Sequence, residues 1–144
     1  MKPDTLAALG YHAAALVGRL PWSWLRALGD AMAWAWRKAD ARESRVARRN
    51  LEIAYPDLLP SQRKDLHHAI LRTTACQALE TLRFWTRAPA DNLACLRERH
   101  GEALYDAALA SGKGVIVAAP HFGNWELLNQ WLASRAGRAM PAIG

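Results

Sequence analysis

The stretch Gly114-Val-Ile-Val-Ala-Ala-Pro-His-Phe-Gly-Asn-Trp-Glu126 decides how this chain is read, because an apolar run stops abruptly at His121 and a carboxylate follows at Glu126. Val115 to Ala119 carries no polar side chain. Bounded by Gly114 and Pro120, such a run suits a strand buried on both faces, as in an α/β sheet. Gly123 loosens the turn, Asn124 stands as the N-cap, and Trp125 to about Arg135 reads as a helix burying Leu127, Leu128, Trp131 and Leu132. The segment is expected to be strand, turn, helix.

On one regular helix, His121 and Glu126 would stand about 140° apart, so the helix must begin between them. With His121 in the turn and Glu126 in the first helical turn, the carboxylate can accept the imidazole N–H. That fixes the tautomer and leaves the other ring nitrogen free as a general base. The helix N-terminus disfavours the imidazolium by about 0.3 to 1 kcal/mol and Glu126 favours it, which leaves neutral imidazole near pH 7. The alternative is a structural histidine at a strand end; the glycine turn and the carboxylate favour the base.

Working outward, Gly101 to Ala110 has a helical pattern closed by Gly112-Lys113-Gly114, Leu93 to His100 reads as a charged edge strand, and Ala139 to Ile143 as the next strand of a parallel βαβ unit. Two or three strands do not complete such a sheet. The expected fold class is therefore α/β, N-terminal helices followed by the start of a sheet left incomplete at the C-terminus, as in a truncated chain or fragment. Upstream, helices are expected over about 5–19, 22–36, 41–54 (opened by Asp40 with Glu43 as a capping box) and 62–86 (capped by Ser61, closed before Pro89). The expected division is 1–40 as membrane-interface amphipathic helices, 41–90 as a helical segment and 91–144 as the first βαβ part.

The 144 residues carry a net charge of +6, which favours anionic partners. Lys38, Arg42, Arg45 and Arg49 are spaced by four, three and four residues; on a helix they make one basic stripe suited to phosphate, flanked by Arg37 and Arg48. Trp22, Trp24, Trp34 and Trp36, four of the seven tryptophans, cluster beside it, a composition suited to a membrane interface. The longest uncharged run, Thr5 to Gly18, has 14 residues, short of the about 18 a spanning helix needs, so the N-terminus is expected to lie in the interface. Cys76 and Cys95 have no C-x-x-C spacing and no signal-peptide pattern precedes them, which places the chain on a reducing, cytoplasmic side.

Other chemistries lack their motifs. Adjacent His67 and His68 diverge on a helix and no further ligand follows at metal spacing, so no metal is expected. Ser111 and Ser134 lie in no G-x-S-x-G elbow, and Ala107 stands where a P-loop ending in Gly112-Lys113 needs glycine.

His121-Phe-Gly-Asn-Trp-Glu126, following Gly112-Lys113-Gly114 and an apolar run, resembles the H-x4-[D/E] block of glycerolipid acyltransferases. It is most similar to the late acyltransferases of lipid A biosynthesis, the lauroyl/myristoyl transferases, whose upstream block is resembled by Arg48-Arg-Asn-Leu51 with Tyr55-Pro56. The resemblance implies an acyltransferase on the cytoplasmic face of the inner membrane. It would move a fatty acyl chain from acyl carrier protein to a hydroxyl of a lipid A precursor, with no cofactor and no nucleic-acid partner. His121 and Glu126 are then the catalytic pair, Gly123 and Asn124 shape their turn, and Lys38, Arg42, Arg45 and Arg49 hold sugar phosphate or the carrier's acidic surface. The alternatives are an acyltransferase for another glycolipid or aminolipid, and a non-catalytic basic helical module binding anionic membrane or nucleic acid.

Overall fold

A computed structural model describes residues 3–120 and 122–137. The described residues form seven helices: α1 (Pro3–Gly18), α2 (Trp22–Lys38), α3 (Arg42–Ala54), α4 (Pro60–Thr86), α5 (Pro89–Leu93), α6 (Glu102–Ala110) and α7 (Trp125–Arg135). The 27-residue α4, about 40 Å long at 1.5 Å per residue, is the element against which α1, α2, α3 and α7 all pack.

A spacing of four explains the central contact. Leu71, Ala75 and Leu79 form one buried stripe on α4, and Leu25, Gly29 and Ala33 form the facing stripe on α2. Leu71 and Ala75 are 1% and 0% exposed, with Met32, Trp36 and Ala47 closing around them. Small residues permit the approach: a Cβ on Gly29 would lie 2.6 Å from Cys76 Sγ and 3.3 Å from Cys76 Cα. Burial in this contact pushes the Cys76 thiol above its ordinary pKa.

The end of α1 is equally tight. A Cβ on Gly18 would stand 2.6 Å from Thr86 Oγ1 and 3.0 Å from the backbone Cα of Arg83. Arg83 secures the turn that follows, donating through Nη1 to Gly18 O at 3.1 Å and Leu20 O at 2.9 Å, with its guanidinium 4.3 Å from the Trp22 ring centre. The opposite side of α1 is open: Leu6, Leu9, Tyr11 and Leu16 are each more than half exposed.

The α/β expectation is overturned. All regular structure among the described residues is helical, and none of them forms a strand or sheet. Val115 to Ala119 is irregular, with Ile116 fully exposed. A strand exists through hydrogen bonds to a neighbouring strand, and none of the described residues forms a strand that could pair with this run. Its apolar composition expresses a demand for burial, which is a weaker property than sheet membership. The expected edge strand at Leu93–His100 is also replaced: α5 ends at Leu93, a turn closes through Cys95 N–H to Asn92 O at 3.0 Å, and residues 96–100 are irregular. The expected strand Ala139–Ile143 lies outside the described residues.

Two caps also differ. Ala41, not Asp40, is the N-cap of α3 and makes no side-chain cap. Asp40 instead takes a left-handed φ of 43°, a conformation Asp tolerates better than most residues. Its Oδ1 accepts from Arg48 Nη2 at 2.7 Å and its backbone carbonyl accepts from Arg45. At α4, Pro60 rather than Ser61 begins the helix, since proline has no N–H to leave unsatisfied there. Gln62 Oε1 accepts the preceding Leu59 N–H at 3.1 Å.

Candidate active site

The turn that leads into α7 is held by α4. Gln77 Nε2 donates to Gly123 O at 3.0 Å, and Glu80 Oε2 accepts from Asn124 Nδ2 at 3.2 Å. Gln77 and Glu80 lie three residues apart and so share one face of α4. Gly123 has φ 69°, a left-handed conformation that glycine adopts without strain, which lets its carbonyl turn toward α4. Asn124 occupies the N-cap position of α7 as expected, although its side chain reaches Glu80 rather than capping the helix.

Glu126 sits in the first turn of α7 and is 9% exposed. It makes no side-chain hydrogen bond to another described residue. A carboxylate withdrawn from water at a helix N-terminus is stabilised by the helix dipole. His121 lies outside the described residues.

Deeper in, α7 is fastened by amides that sequence reasoning missed. Asn92, 1% exposed, donates through Nδ2 to Phe84 O and to Gln130 Oε1, both at 2.9 Å. Gln130 Nε2 donates to the same Phe84 carbonyl at 2.9 Å. The last turn of α4, the short α5 and the middle of α7 are thereby tied through one carbonyl. On the far side Tyr105 packs its ring 5.4 Å from that of Trp131, and Arg135 Nε donates to Asp106 Oδ1 at 3.1 Å, which attaches α6. The i, i+3 spacing of Gln77 and Glu80 was visible in the sequence; what they hold depends on how α4 and α7 meet.

Asn124 borders two hollows. One, about 260 Å³, has Leu96, Leu127, Leu128 and Trp131 as an apolar wall, with Arg99 and His100 beside it. The buried Asn124 Oδ1 and Trp131 Nε1 have no hydrogen-bond partner among the described residues. The other, about 540 Å³, lies between Trp22, Arg26, Phe84, Arg97 and Leu127.

The four residues of the expected basic stripe are not on one helix. Lys38 ends α2, whereas Arg42, Arg45 and Arg49 are on α3, with the left-handed Asp40 between. Arg45 is engaged by the Asp40 carbonyl and Arg49 pairs with Glu52 at 3.0 Å, while Lys38 and Arg42 are exposed and make no ion pair among the described residues. His67 is buried beneath α3, donating through Nε2 to Ser44 O at 2.9 Å, and is thus a packed core histidine.

The family model described as bacterial lipid A biosynthesis acyltransferase matches residues 3–142. This chain belongs to that family. The match takes in the whole described helical assembly, so the α4-anchored turn is part of a lipid A biosynthesis acyltransferase-family chain rather than an appendage to one. Over 32 residues the chain is 53% identical to a phosphatidylinositol mannoside acyltransferase of Mycobacterium tuberculosis, in both strain CDC 1551 / Oshkosh and strain ATCC 25618 / H37Rv. That stretch is 22% of this chain and 10% of each relative, so the alignment spans about a tenth of the length of the curated relatives. No solved structure matches it significantly.

Proposed function

We propose that this chain carries the base-supplying turn of an O-acyltransferase that moves a fatty acyl group from acyl carrier protein to a hydroxyl of a lipid A precursor. The observation that carries this reading is the buried Glu126 in the first turn of α7, behind a Gly123–Asn124 turn pinned to α4, in a chain of this family. His121 accepts the proton of the acceptor hydroxyl, and the oxygen attacks the thioester carbonyl. Collapse of the tetrahedral intermediate breaks the C–S bond, and the departing thiolate takes the proton from the imidazolium, so no covalent acyl-enzyme is required. Glu126 orients the imidazole and offsets its positive charge. The apolar hollow of Leu96, Leu127, Leu128 and Trp131 beside Asn124 offers room for part of an acyl chain, and exposed Lys38 and Arg42 offer charge to phosphate or to an acidic carrier.

The acceptor is reached at the cytoplasmic face of the inner membrane, where the exposed Leu6, Leu9, Leu16 and Trp24 enter the interface as a monotopic anchor. No helix among the described residues is long and apolar enough to cross a membrane. The mannoside acyltransferase relatives favour a second reading, a phosphatidylinositol mannoside type of glycolipid as acceptor.

The test is acyl transfer by the intact protein in membranes, supplied with acyl carrier thioester and each acceptor in turn. His121→Ala is expected to lower turnover by about 10² to 10⁴-fold, the usual contribution of a general base. Glu126→Gln is expected to move the rising limb of the pH–rate profile to lower pH, because the imidazolium loses its neighbouring anion. Near-normal turnover in His121→Ala would remove the base assignment, and the preferred acceptor decides between the two lipid readings.

A further inference from the structure

We propose that the corner where α3 meets the first turn of α4 is a binding site for a phosphate group, held by Arg48, Arg63 and Lys64. A hollow of about 270 Å³ lies there, lined by Arg48, Glu52, Pro60, Arg63, Lys64 and His67. It is separate from the His121–Glu126 turn: Lys64 and Glu80 are sixteen residues apart on α4, about 24 Å at 1.5 Å per residue.

The charges around it are unevenly committed. Glu52, the one carboxylate in the lining, is already held by Arg49 at 3.0 Å. Arg48 meets Asp40 through Nη2 at 2.7 Å, and its other guanidinium nitrogens make no ion pair among the described residues. Lys64 makes none either. The Nε2 of His67 is taken up by Ser44 O at 2.9 Å, so that nitrogen is not offered to a ligand.

Arg63 is the distinctive member. Its Nη2 donates to three backbone carbonyls, Tyr55 O at 3.3 Å, Pro56 O at 2.9 Å and Leu58 O at 3.3 Å, so the turn before α4 clamps the guanidinium. Its Nε is buried and has no acceptor among the described residues. A buried charged donor held away from water and left without an acceptor is costly, and proteins keep such groups paired. The clamp removes the freedom by which Arg63 could find an acceptor elsewhere. The hollow beside it carries two more cations, and the N-terminus of the 27-residue α4 adds its positive end. An anion with several oxygens can answer three separately placed cations at once. A phosphate does this, and guanidinium groups suit it geometrically.

The phosphate can be borne by a lipid head group or by a soluble molecule, and the test separates these sources. Calorimetric titration of the full chain with inorganic phosphate and with glycerol 3-phosphate, at constant ionic strength set by chloride, reads the soluble form. Flotation with phosphatidylcholine vesicles, with and without phosphatidic acid, reads the lipid form. The informative variant is Arg48→Gln with Lys64→Gln; Arg63 is left unaltered because it also holds the 55–58 turn. Lys113→Gln/Arg87→Gln, removing the same charge elsewhere, is the control. Losing two charge-assisted contacts is expected to weaken phosphate binding at least about tenfold, with under about twofold change in the control. Saturable binding to soluble phosphate that is lost in the site variant supports a soluble ligand. Phosphatidic-acid-dependent flotation lost only in that variant supports a lipid head group. If neither probe binds, or the two double variants behave alike, the site is refuted and Arg63 Nε is satisfied by water.

Discussion

Asn92 shows how much one amide can organise. Its carboxamide donates to Phe84 O and Gln130 Oε1, both at 2.9 Å, inside a region from which water is excluded. Asn92→Leu removes the shared donor and leaves Gln130 Oε1 without it, and an unsatisfied buried polar group costs about 1–3 kcal/mol. The expected result is an unfolding free energy lowered by that amount, read as a lower midpoint in urea at unchanged m. Amide exchange should accelerate most in α7, because Asn92 fastens that helix and is not part of the Ala33, Leu71 and Ala75 cluster. An unchanged midpoint would mean that Gln130 and Phe84 O satisfy each other without Asn92. At this scale sequence reading reached only part of the site. It singled out Glu126, Gly123 and Asn124 as candidates because their order around a helix start has a local signature. Gln77, Glu80, Asn92 and Gln130 bond to groups 38 to 46 residues away, such as Gln130 and Gly123, and no local spacing encodes such pairings.

Among the elements, the glycines give the clearest contrast. Gly18 and Gly29 lie where α1 and α2 meet α4, and an added Cβ would come within 2.6 Å of an existing side-chain atom at each. Gly10, also in α1, has nothing within 4 Å of its would-be Cβ. Alanine improves helix propensity at all three by about 0.5–1 kcal/mol, but overpacking costs about 1–3 kcal/mol. Thermal unfolding should therefore show Gly10→Ala slightly more stable, and Gly18→Ala and Gly29→Ala less stable by about 1–2 kcal/mol. Gly18→Ala should be the more damaging, because Arg83 Cα at 3.0 Å is backbone and cannot rotate away. Equal effects at the three sites would mean that propensity rather than close approach governs these helices. The helix boundaries of α2, α3, α4 and α7 were legible to within a few residues from periodicity, prolines and glycines. The short α5 was not, since five residues contain little more than one turn of pattern.

For the whole molecule, α1 and the start of α2 carry one group of exposed apolar residues, in which Leu9 is 55%, Leu16 65% and Trp24 67% exposed. Leu6, Leu9 and Leu16 follow helical spacing, so α1 presents an apolar face on the side that α4 does not cover. A protein with Leu9→Ser, Leu16→Ser and Trp24→Ser together is expected to lose most of its flotation with anionic phospholipid vesicles while keeping its helical circular dichroism. High salt should weaken the wild type only in part, since apolar insertion is unscreened whereas the attraction of basic residues to anionic lipid is screened. Retained flotation in the triple variant would place the membrane contact elsewhere.

By itself the sequence determined the helices and where they break, because these follow from neighbours three or four residues apart and from proline and glycine geometry. It also determined the family, through the Gly112–Glu126 string. It did not determine that Val115–Ala119 would belong to a sheet. An apolar run states only that a segment gains by leaving water, while a strand requires a partner's N–H and C=O groups, and no described segment supplies them. Only the tertiary structure decided that the turn before α7 rests on Gln77 and Glu80, that Lys38 stands apart from Arg42, Arg45 and Arg49, and that Arg48, Arg63 and Lys64 converge instead. Each of these depends on where α4 runs relative to the others, and contacts between residues far apart along the chain are set by the packing of whole helices.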